Sequence, residues 1–391
     1  MVQLNPHFHR LKRPYIFPLI EKKLEELEST IPKSSLINLG IGDVALPLAP
    51  SVATAISQAV LAMASPQGLH GYGPSEGYPF LKQSIQKEHP TLSTDEIFIS
   101  DGINSDGCNI LELFALTNQI AIADPNYPAY FNSILIRGHR SPLLIPCTEE
   151  NLFVPTLPKK RCDLIYLCTP NNPTGMALTR QELQVWVDYA LSNNALLLVD
   201  AAYAAFIRSK DVPKSIFEIL GAHECAIEFH SFSKSAGFTG LRCSYTLLPK
   251  TVRAYLKGEK IALHPFWKKR QAAKFNGVAY PIQKGAEAAL LPQGKKETEA
   301  QVTFYLHQAN RLKTALSSRG MTCYGGMDCP YIWIKTPKNR SSWDFFEDLI
   351  RKFYILSIPG CGFGPSGEGF VRLSCFATEE KITLALNRLC Q

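Results

Sequence analysis

Short runs of apolar residues recur between residues 97 and 248, and polar or helix-like stretches separate them. The runs read IFIS, IAIAD, LIYLCT, LLLVD, AIEFHS and SYTLL, and they do not alternate between apolar and polar positions. Strands of this kind are buried on both faces, as in a mostly parallel sheet covered by helices such as the one predicted at 180–192. The pattern therefore predicts an α/β fold, in which ligands bind beyond the carboxyl ends of the strands.

The chain after residue 280 has a different texture, which is typical of a smaller α+β domain. Its pattern predicts, in order, a helix at 299–319, the strand YIWIK, a helix at 342–353 and a strand at 370–375. We predict a large domain at 46–280 and a small domain made of 1–45 and 281–391. In this interpretation the first segment folds back onto the last one.

The composition fits a large folded protein, since 46% of the 391 residues are hydrophobic and 19% are charged. The longest apolar stretch, residues 195–206, is interrupted by Asp200 and is shorter than the about 20 residues of a membrane-spanning helix. The first twenty residues contain basic residues and prolines but no apolar signal core. We therefore expect a cytoplasmic protein with no membrane partner.

The eleven cysteines are scattered and never form a Cys-x-x-Cys pair, so neither a disulfide framework nor a metal site is predicted. The net charge of +7 is modest for this length and favours anionic small molecules. Its densest part, residues 257–274, is interpreted as the solvated face of a helix. A nucleic-acid patch is the alternative, but no known binding module surrounds it, and we expect no nucleic-acid partner.

The candidate chemistry begins with Lys234, which follows a predicted buried strand and lies among small residues in SFSKSAG. A lysine held in a tight, partly desolvated turn loses its proton at modest cost, and its amine then attacks an aldehyde to give a Schiff base. Taken alone, a lysine in a serine-rich loop is far more often an ordinary surface residue.

Several neighbouring groups are suited to hold a phosphate whose aldehyde lies at Lys234. Arg242 can clamp a phosphate with two hydrogen bonds, and the hydroxyls of Ser231 and Ser233 are further candidates. The segment SDGINSDG at 100–107 lies between a strand and a helix, where free N–H groups face an anion. An ordinary capped helix is the alternative for this segment.

Polar side chains near other strand ends complete the candidate site. Asp200 ends the run LLLVD, and a buried carboxylate there needs a cation such as a protonated pyridine nitrogen, with Tyr203 near the hydroxyl of the same ring. Asn172 lies in the rigid turn TPNNPTG and can donate to an anionic oxygen. Arg372 in FVRLS needs an anionic partner, either a substrate carboxylate or a structural salt bridge.

These residues occur in the order of one known family. The segment NPTG at 172–175, the pair Asp200 and Tyr203, and SFSK at 231–234 followed by Arg242 resemble the signatures of the fold-type I aminotransferases over nearly the whole chain. The resemblance implies a mostly parallel large domain plus a smaller α+β domain, pyridoxal 5'-phosphate as cofactor, and Lys234 as the catalytic lysine. It also implies these cofactor-binding residues: Ile103, Asn104, Tyr127, Asn172, Asp200, Tyr203, Ser231, Ser233, Lys234 and Arg242.

Other segments resemble the LL-diaminopimelate aminotransferase branch of that family: NPHF at 5–8, LGIGD at 39–43, DPNYP at 124–128 and KFNG at 274–277. The branch interconverts LL-2,6-diaminopimelate plus 2-oxoglutarate with tetrahydrodipicolinate plus glutamate, on the route to lysine and cell-wall precursors. Its enzymes are homodimers whose active sites share residues across the interface. The resemblance implies these substrate-binding residues: Tyr15, Gly42, Tyr72, Ser75, Tyr127, Asn172, Asn276 and Arg372.

The chain departs from the pattern of the branch at three places. Residues 44–46 read VAL where the branch has TTE, and Asn104 replaces a lysine in the phosphate-binding turn. Ser75 occupies the place of a glutamate that is implied to face the distal amino group of the substrate, and Glu76 follows it. Losing that carboxylate weakens discrimination against substrates without the distal ammonium, so we expect relaxed specificity.

Other functions remain open on the same motifs. Aspartate or aromatic aminotransferases, carbon–sulfur lyases and cyclopropane-carboxylate synthases share them. The sensor domain of a transcription regulator would need an added helix-turn-helix, for which the proline-containing first 40 residues leave too little room. The last alternative is an α/β scaffold that binds no cofactor. Such a protein would be colourless, and borohydride would not change its absorbance.

Overall fold

The structure is a computed structural model that describes residues 1–11, 16–27 and 31–389. The helices of these residues are Ile16–Leu27 (α1), Pro50–Ala62 (α2), Pro79–Glu88 (α3), Ile103–Asn109 (α4), Pro128–Ile136 (α5), Arg180–Asn193 (α6), Ala222–Cys225 (α7), Phe232–Ser235 (α8), His264–Lys274 (α9), Tyr280–Leu290 (α10), Pro292–Ser318 (α11), Ser342–Phe353 (α12) and Glu379–Leu389 (α13).

The strands of the same residues are Ile37–Asn38 (β1), Ile97–Ser100 (β2), Ile120–Asp124 (β3), Leu143–Pro146 (β4), Leu164–Cys168 (β5), Leu196–Asp200 (β6), Ala226–Ser231 (β7), Ser244–Leu247 (β8), Arg253–Leu256 (β9), Glu259–Ala262 (β10), Cys323–Gly325 (β11), Tyr331–Lys335 (β12), Ile355–Leu356 (β13), Ile358–Pro359 (β14) and Phe370–Ser374 (β15).

Seven of these strands form the central sheet, in the order β2-β8-β7-β6-β5-β3-β4. Only β8 runs against its neighbours, so the prediction of a mostly parallel α/β sheet is confirmed. Side chains of β6 alternate between two cores, because Leu197 and Val199 enter one cluster while Leu196 and Leu198 enter the other. Burial on both faces explains why the strands read as unbroken apolar runs.

Helix α6 shows how the sequence sets an element that covers this sheet. Thr179 and Glu182 form a capping box at its start, where each side chain accepts from the other residue's backbone N–H. The buried face of α6 carries Trp186 and Val187, which pack into the core on one side of the sheet. The helix ends at Asn193, one residue beyond the prediction, and Asn194 takes the left-handed conformation.

The smaller sheet is antiparallel and has the order β11-β12-β15-β14. Strand β1 pairs in parallel with β13, with Ile37 opposite Ile355, so this part of the N-terminal segment contacts the C-terminal part of the chain. The turn Pro6–Arg10 lies elsewhere, because Arg10 donates to the carbonyl of His139 just after α5. Residues 5–10 therefore lie against the end of helix α5.

The interpretation of residues 257–274 as one helix face is wrong in its first half. Strands β9 and β10 form an antiparallel hairpin there, and Lys257 adopts a positive φ of 50° beside Gly258 at its turn. Helix α9 begins only at His264, and Trp267 anchors its buried side. A helical period cannot pass through a glycine in the left-handed conformation, so the sequence itself carried the signal of the turn.

None of the helices in the described ranges is both long and apolar enough to cross a membrane. The parallel strands β3, β5, β6 and β7 all end at the same edge of the central sheet. The smaller sheet faces this edge, since Tyr331 of β12 and Arg372 of β15 line the same cavity as Asp200 at the end of β6.

Candidate active site

A cavity of ≈390 Å³ lies at the carboxyl ends of the central strands, between them and strands β12 and β15. Its lining includes these predicted residues: Gly42, Ile103, Asn104, Tyr127, Asn172, Asp200, Tyr203, Ser231, Ser233, Lys234, Arg242 and Arg372. The entire predicted cofactor set therefore surrounds one space, although its members are spread over 140 positions from Ile103 to Arg242.

Lys234 is positioned by the single turn of α8, which Ser231 begins by accepting a hydrogen bond from the N–H of Ser233 at 3.0 Å. Its Nζ donates to the carbonyl of Gly42, which reaches the cavity from the segment before α2. Burial lowers the pKa of Lys234 to about 8, while Asp43 opposes this shift and Arg372 and Arg242 add to it. The amine is thus far closer to its neutral, nucleophilic form than an exposed lysine.

Asp200 ends β6 with its carboxylate almost fully buried. Tyr130 donates its hydroxyl to Oδ2 at 2.5 Å, and the N–H of Ala202 donates to Oδ1 at 2.9 Å. Burial raises the pKa of Asp200, and these hydrogen bonds act in the opposite direction. No Lys or Arg of the described ranges forms an ion pair with this carboxylate, so an additional cation in the cavity would find a ready partner.

Tyr130 is a site residue that sequence reasoning missed. It lies three positions after Tyr127 on the first turn of α5, is 4% exposed, and stacks on Tyr166 with ring centroids 4.9 Å apart. Its partner Asp200 is 70 residues away, and only tertiary structure brings the two together. The repeated Tyr in YPAY was the one available signal, since helical spacing places positions 127 and 130 on neighbouring faces.

Arg242 adopts a positive φ of 59° and turns its guanidinium toward the start of α4. A Cβ on Gly102 would lie 2.1 Å from Nη2 of Arg242, so only glycine allows this approach. The same guanidinium donates to Ser233 Oγ at 3.4 Å, which places cationic, hydroxyl and backbone groups around one corner of the cavity. This corner has the donors that bind a phosphate.

Arg372 lies in the middle of β15 and is only 3% exposed. It donates to Asn172 Oδ1 and to the carbonyl of Gly40, both at 2.6 Å, and lies over the ring of Tyr331 at 4.4 Å. No carboxylate within the described part of the chain forms an ion pair with it, so the alternative of a structural salt bridge finds no partner there. Its charge remains available to an anion in the cavity.

Tyr331 is the second residue that sequence reasoning missed. Its hydroxyl lies 2.8 Å from that of Tyr203, and it comes from β12, which the sequence predicted only as a strand. A Cβ on Gly42 would lie 2.2 Å from this hydroxyl. The absence of a side chain at Gly42 therefore lets Tyr331 of the smaller sheet reach the cavity. Nothing in YIWIK alone marks its first residue as part of a site.

Three predicted substrate residues, Tyr72, Ser75 and Asn276, are not part of the cavity lining in the single chain, and Tyr15 lies outside the described residues. Tyr72 is 93% exposed. Gly277, which follows Asn276, lies against the segment that contains Tyr72 and Ser75, since a Cβ on Gly277 would be 2.8 Å from the carbonyl of Pro74. The three predicted residues thus belong to one surface region rather than to the cavity of their own chain.

The carboxylate of Glu76 cannot replace the glutamate missing at Ser75 without losing existing ion pairs. Its Oε1 lies 2.9 Å from Lys268 Nζ, and its Oε2 lies 3.6 Å from Lys82 Nζ. Lys82 is itself largely buried, so this carboxylate compensates a charge that water does not reach. Glu76 is therefore already paired with two lysines, and position 75 itself carries a hydroxyl rather than a carboxylate.

Comparisons with known proteins match aminotransferases over nearly the whole chain. A family model described as "Aminotransferase class I and II" matches residues 34–389. An LL-diaminopimelate aminotransferase of Parabacteroides distasonis is 46% identical, and one of Prochlorococcus marinus is 45% identical; each alignment covers 100% of this chain and 99% of the relative. The solved structure of the L,L-diaminopimelate aminotransferase of Chlamydomonas reinhardtii has a TM-score of 0.92 at 39% identity, covering 99% of this chain and 98% of that chain.

Proposed function

The chain belongs to the class I and II aminotransferases, and we propose that it is an LL-diaminopimelate aminotransferase of lysine and cell-wall precursor biosynthesis. In this reaction the amino group of LL-2,6-diaminopimelate passes to 2-oxoglutarate, giving tetrahydrodipicolinate and glutamate. The observation that carries the proposal is full-length identity of about 45% to curated enzymes of that name, combined with a cavity that gathers the residues of the family's motifs.

The family uses pyridoxal 5'-phosphate in general, and the cavity suits this cofactor on three counts. The buried carboxylate of Asp200 forms no ion pair with a Lys or Arg of the described residues and would hold the protonated pyridine nitrogen. Arg242, close to Gly102, would bind the phosphate with the hydroxyls of Ser231 and Ser233. Lys234 supplies an amine of lowered pKa between these two ends.

The remaining predicted contacts follow from the same lining. We assign the backbone at Ile103 and Asn104 to the phosphate, Tyr127 to the ring face, and Asn172 with Tyr203 to the ring oxygen. When bound, the cofactor would supply an acceptor for the substrate amino group and an electron sink for the substrate α-carbon. Tyr130 keeps the carboxylate of Asp200 oriented through its 2.5 Å hydrogen bond.

Lys234 carries out the proton transfer in this mechanism. Its neutral Nζ removes a proton from the α-carbon of the substrate and can return it to another position, because a pKa of about 8 lets the amine hold or release a proton near neutral pH. Arg372 binds the α-carboxylate through hydrogen bonds that replace its contacts with Asn172 and Gly40, and so aims the α-carbon at Lys234.

Substrate range is the part of the proposal that departs from the branch. Position 75 carries a serine, and the neighbouring Glu76 is paired with Lys268 and Lys82, so neither position offers a free carboxylate to the distal ammonium of diaminopimelate. A glutamate at position 75 would be left unpaired by a substrate that has no distal ammonium, and this cost would disfavour such a substrate. Without that glutamate, discrimination against amino acids that lack the distal ammonium is weaker. This observation also favours the second candidate, a broader aspartate- or aromatic-type aminotransferase.

Steady-state kinetics with LL-diaminopimelate and 2-oxoglutarate, beside lysine, aspartate and aromatic donors, tests the function. We expect turnover of diaminopimelate together with detectable turnover of at least one other donor, and none of either in Lys234→Ala. Ammonia release without an oxo acid would identify a carbon–sulfur lyase instead. Complete inactivity on diaminopimelate in a protein that carries its cofactor would refute the assignment.

We also assign a homodimer, in which some of the predicted substrate residues, Tyr72 among them, serve the cavity of the partner chain. The high exposure of Tyr72 and its absence from its own cavity support this arrangement. Leu61 and Leu69 lie nearby in sequence and are 74% and 69% exposed. Exposure of these apolar side chains to water is unfavourable, and contact with a second copy of the chain would bury them.

A further inference from the structure

A second group of polar side chains is buried around strand β7, outside the lining of the candidate active site. His89, Glu228 and His230 are 9%, 1% and 7% exposed, and their potential ligand atoms all lie within 4.8 Å of one another. Glu228 and His230 point to the same face of β7 because they are two residues apart. His89 reaches them from the end of α3.

The contacts within this cluster join its members directly. His230 Nε2 lies 2.8 Å from Glu228 Oε2, and the rings of His89 and His230 are 5.0 Å apart. Tyr245 lies opposite His230 on β8, stacks on it with ring centroids 4.9 Å apart, and has its hydroxyl 3.2 Å from His89 Nε2. Two imidazoles and one carboxylate thus converge on one point.

A second layer of hydrogen bonds fixes the carboxylate. Ser215 Oγ donates to Glu228 Oε2 at 2.6 Å, and the N–H of Ile216 donates to Oε1 at 2.7 Å. Outer contacts of this kind orient the ligands of metal sites. The combination of two histidines and one glutamate is the ligand set of many zinc sites that keep a fourth position open.

The electrostatics of the cluster also favour a cation. Glu228 is nearly inaccessible to water, and within the described ranges it forms an ion pair with no Lys or Arg. The imidazoles of His89 and His230 supply nitrogen atoms, which transition-metal ions prefer as ligands.

An ion can reach this cluster from solvent. His89, His230 and Tyr245 line a cavity of ≈560 Å³ whose wall also includes the lysines Lys214 and Lys296. The cavity has room for the water molecule that completes a four-coordinate site. Its wall shares Ala202 and Ser231 with the cavity of Lys234, so the two spaces adjoin at these two residues.

We propose that His89, Glu228 and His230 form a binding site for one divalent transition-metal ion of the Zn²⁺ type, with water from the adjoining cavity as fourth ligand. The ion links the end of α3 to β7, next to the turn that carries Ser231 and Lys234. No local pattern indicates this site, because 139 residues separate Glu228 from His89 and no cysteine is involved.

Cobalt(II) titration of the tag-free holoenzyme, after treatment with a chelator and without amino acids, tests the site. Co²⁺ takes the place of Zn²⁺, and its visible d–d absorption reports four-coordinate binding. We expect one ion per chain, displaced by Zn²⁺, without the charge-transfer absorption of a cysteine thiolate. His89→Gln and His230→Gln keep a hydrogen-bonding group but lose the imidazole, and each should weaken binding at least about 100-fold, since even outer-shell changes cost about 10- to 100-fold.

His223→Gln is the matched control, because this partly exposed histidine contacts Thr91 and lies outside the cluster. Ser215→Ala provides a gentler variant, which should lose about tenfold in affinity while the fold is retained. The cofactor absorbance of each variant checks its folding. Absence of stoichiometric binding to the wild type overturns the proposal, and so does unchanged affinity in His89→Gln, His230→Gln and Ser215→Ala.

Discussion

At the scale of single residues, Tyr130 helps to keep the carboxylate of Asp200 deprotonated. Its hydroxyl donates a hydrogen bond to the carboxylate that we assign to the protonated ring nitrogen of the cofactor. Because this hydrogen bond opposes the effect of burial, its loss raises the pKa of Asp200 and weakens the hold on a protonated ring nitrogen.

Tyr130→Phe is therefore expected to raise the dissociation constant of pyridoxal phosphate about tenfold or more, since a hydrogen bond to a charged group contributes about 1.5–3 kcal/mol. Equilibrium titration followed by cofactor fluorescence measures this change. Tyr166→Phe is the control, because Tyr166 stacks on Tyr130 but donates to the carbonyl of Gly107 instead of Asp200. Equal affinities in the two variants would show that Tyr130 acts only through packing.

Lys234 gives a pH dependence of known sign. A pKa of about 8 leaves about a tenth of the cofactor-free molecules with a neutral amine at pH 7, about half at pH 8 and about nine tenths at pH 9. Covalent capture of pyridoxal phosphate, followed by stopped-flow absorbance, should therefore accelerate about tenfold from pH 7 to pH 9 and then level off. Nα-acetyl-lysine is the control, and its rate keeps rising about 100-fold over the same range. A rate for the enzyme that still rises through pH 10 would contradict the lowered pKa.

Ser75 is the residue at which substrate choice can be altered. Ser75→Glu restores a carboxylate that Glu76 cannot supply, because Glu76 is paired with Lys82 and Lys268. We expect the ratio of kcat/KM for LL-diaminopimelate to that for a donor without a distal ammonium to rise about tenfold, as for one added ion pair of about 1.4 kcal/mol. Ser75→Gln, which has the same length without the charge, is the control and should leave the ratio near that of the wild type. No gain in Ser75→Glu would place the distal ammonium elsewhere.

Helix α6 illustrates stability at the scale of elements. Its capping box satisfies N–H groups that would otherwise have no partner in the first turn, and Trp186 then anchors the helix on the sheet. The strand β6 that carries Asp200 follows directly after this helix.

Thr179→Ala should lower the local stability of α6 by about 1 kcal/mol, because Ala offers no acceptor at the cap position. Hydrogen exchange at the amides of the first turn should become about fivefold faster, which corresponds to that free energy. Thr303→Ala is the control, since Thr303 is exposed in the interior of α11. Unchanged exchange in Thr179→Ala would mean that packing alone holds the start of the helix.

The whole molecule is expected to work as a dimer with shared sites, and mixing of inactive chains tests this directly. In a mixture of Lys234→Ala and Tyr72→Ala chains, half of the dimers are hybrids and each hybrid has one intact site if Tyr72 acts on its partner. Activity should therefore recover to about a quarter of that of the wild type after co-refolding or co-expression. If Tyr72 serves its own chain, the mixture stays inactive. Size-exclusion chromatography with light scattering verifies the dimer in every sample.

The sequence by itself determined the sheet and the identity of the candidate cofactor residues. Unbroken apolar runs such as LLLVD report burial on both faces, and strand ends carry polar residues because parallel strands present their carboxyl ends at one edge. Asp200, Lys234 and Arg242 were therefore predictable from local pattern and order. The stretch 257–274 was misread because charge spacing outweighed the turn signal of Gly258.

Only the tertiary structure decided which distant residues meet. Tyr130 with Asp200, Tyr331 with Tyr203, and His89 with Glu228 are pairs separated by 70 residues or more, and no local pattern encodes them. Hydrophobic periodicity specifies which face of an element is buried, whereas the neighbours on that face depend on how all elements pack. The lowered pKa of Lys234 has the same origin, because desolvation comes from the assembled cavity and not from the serines beside it in the chain.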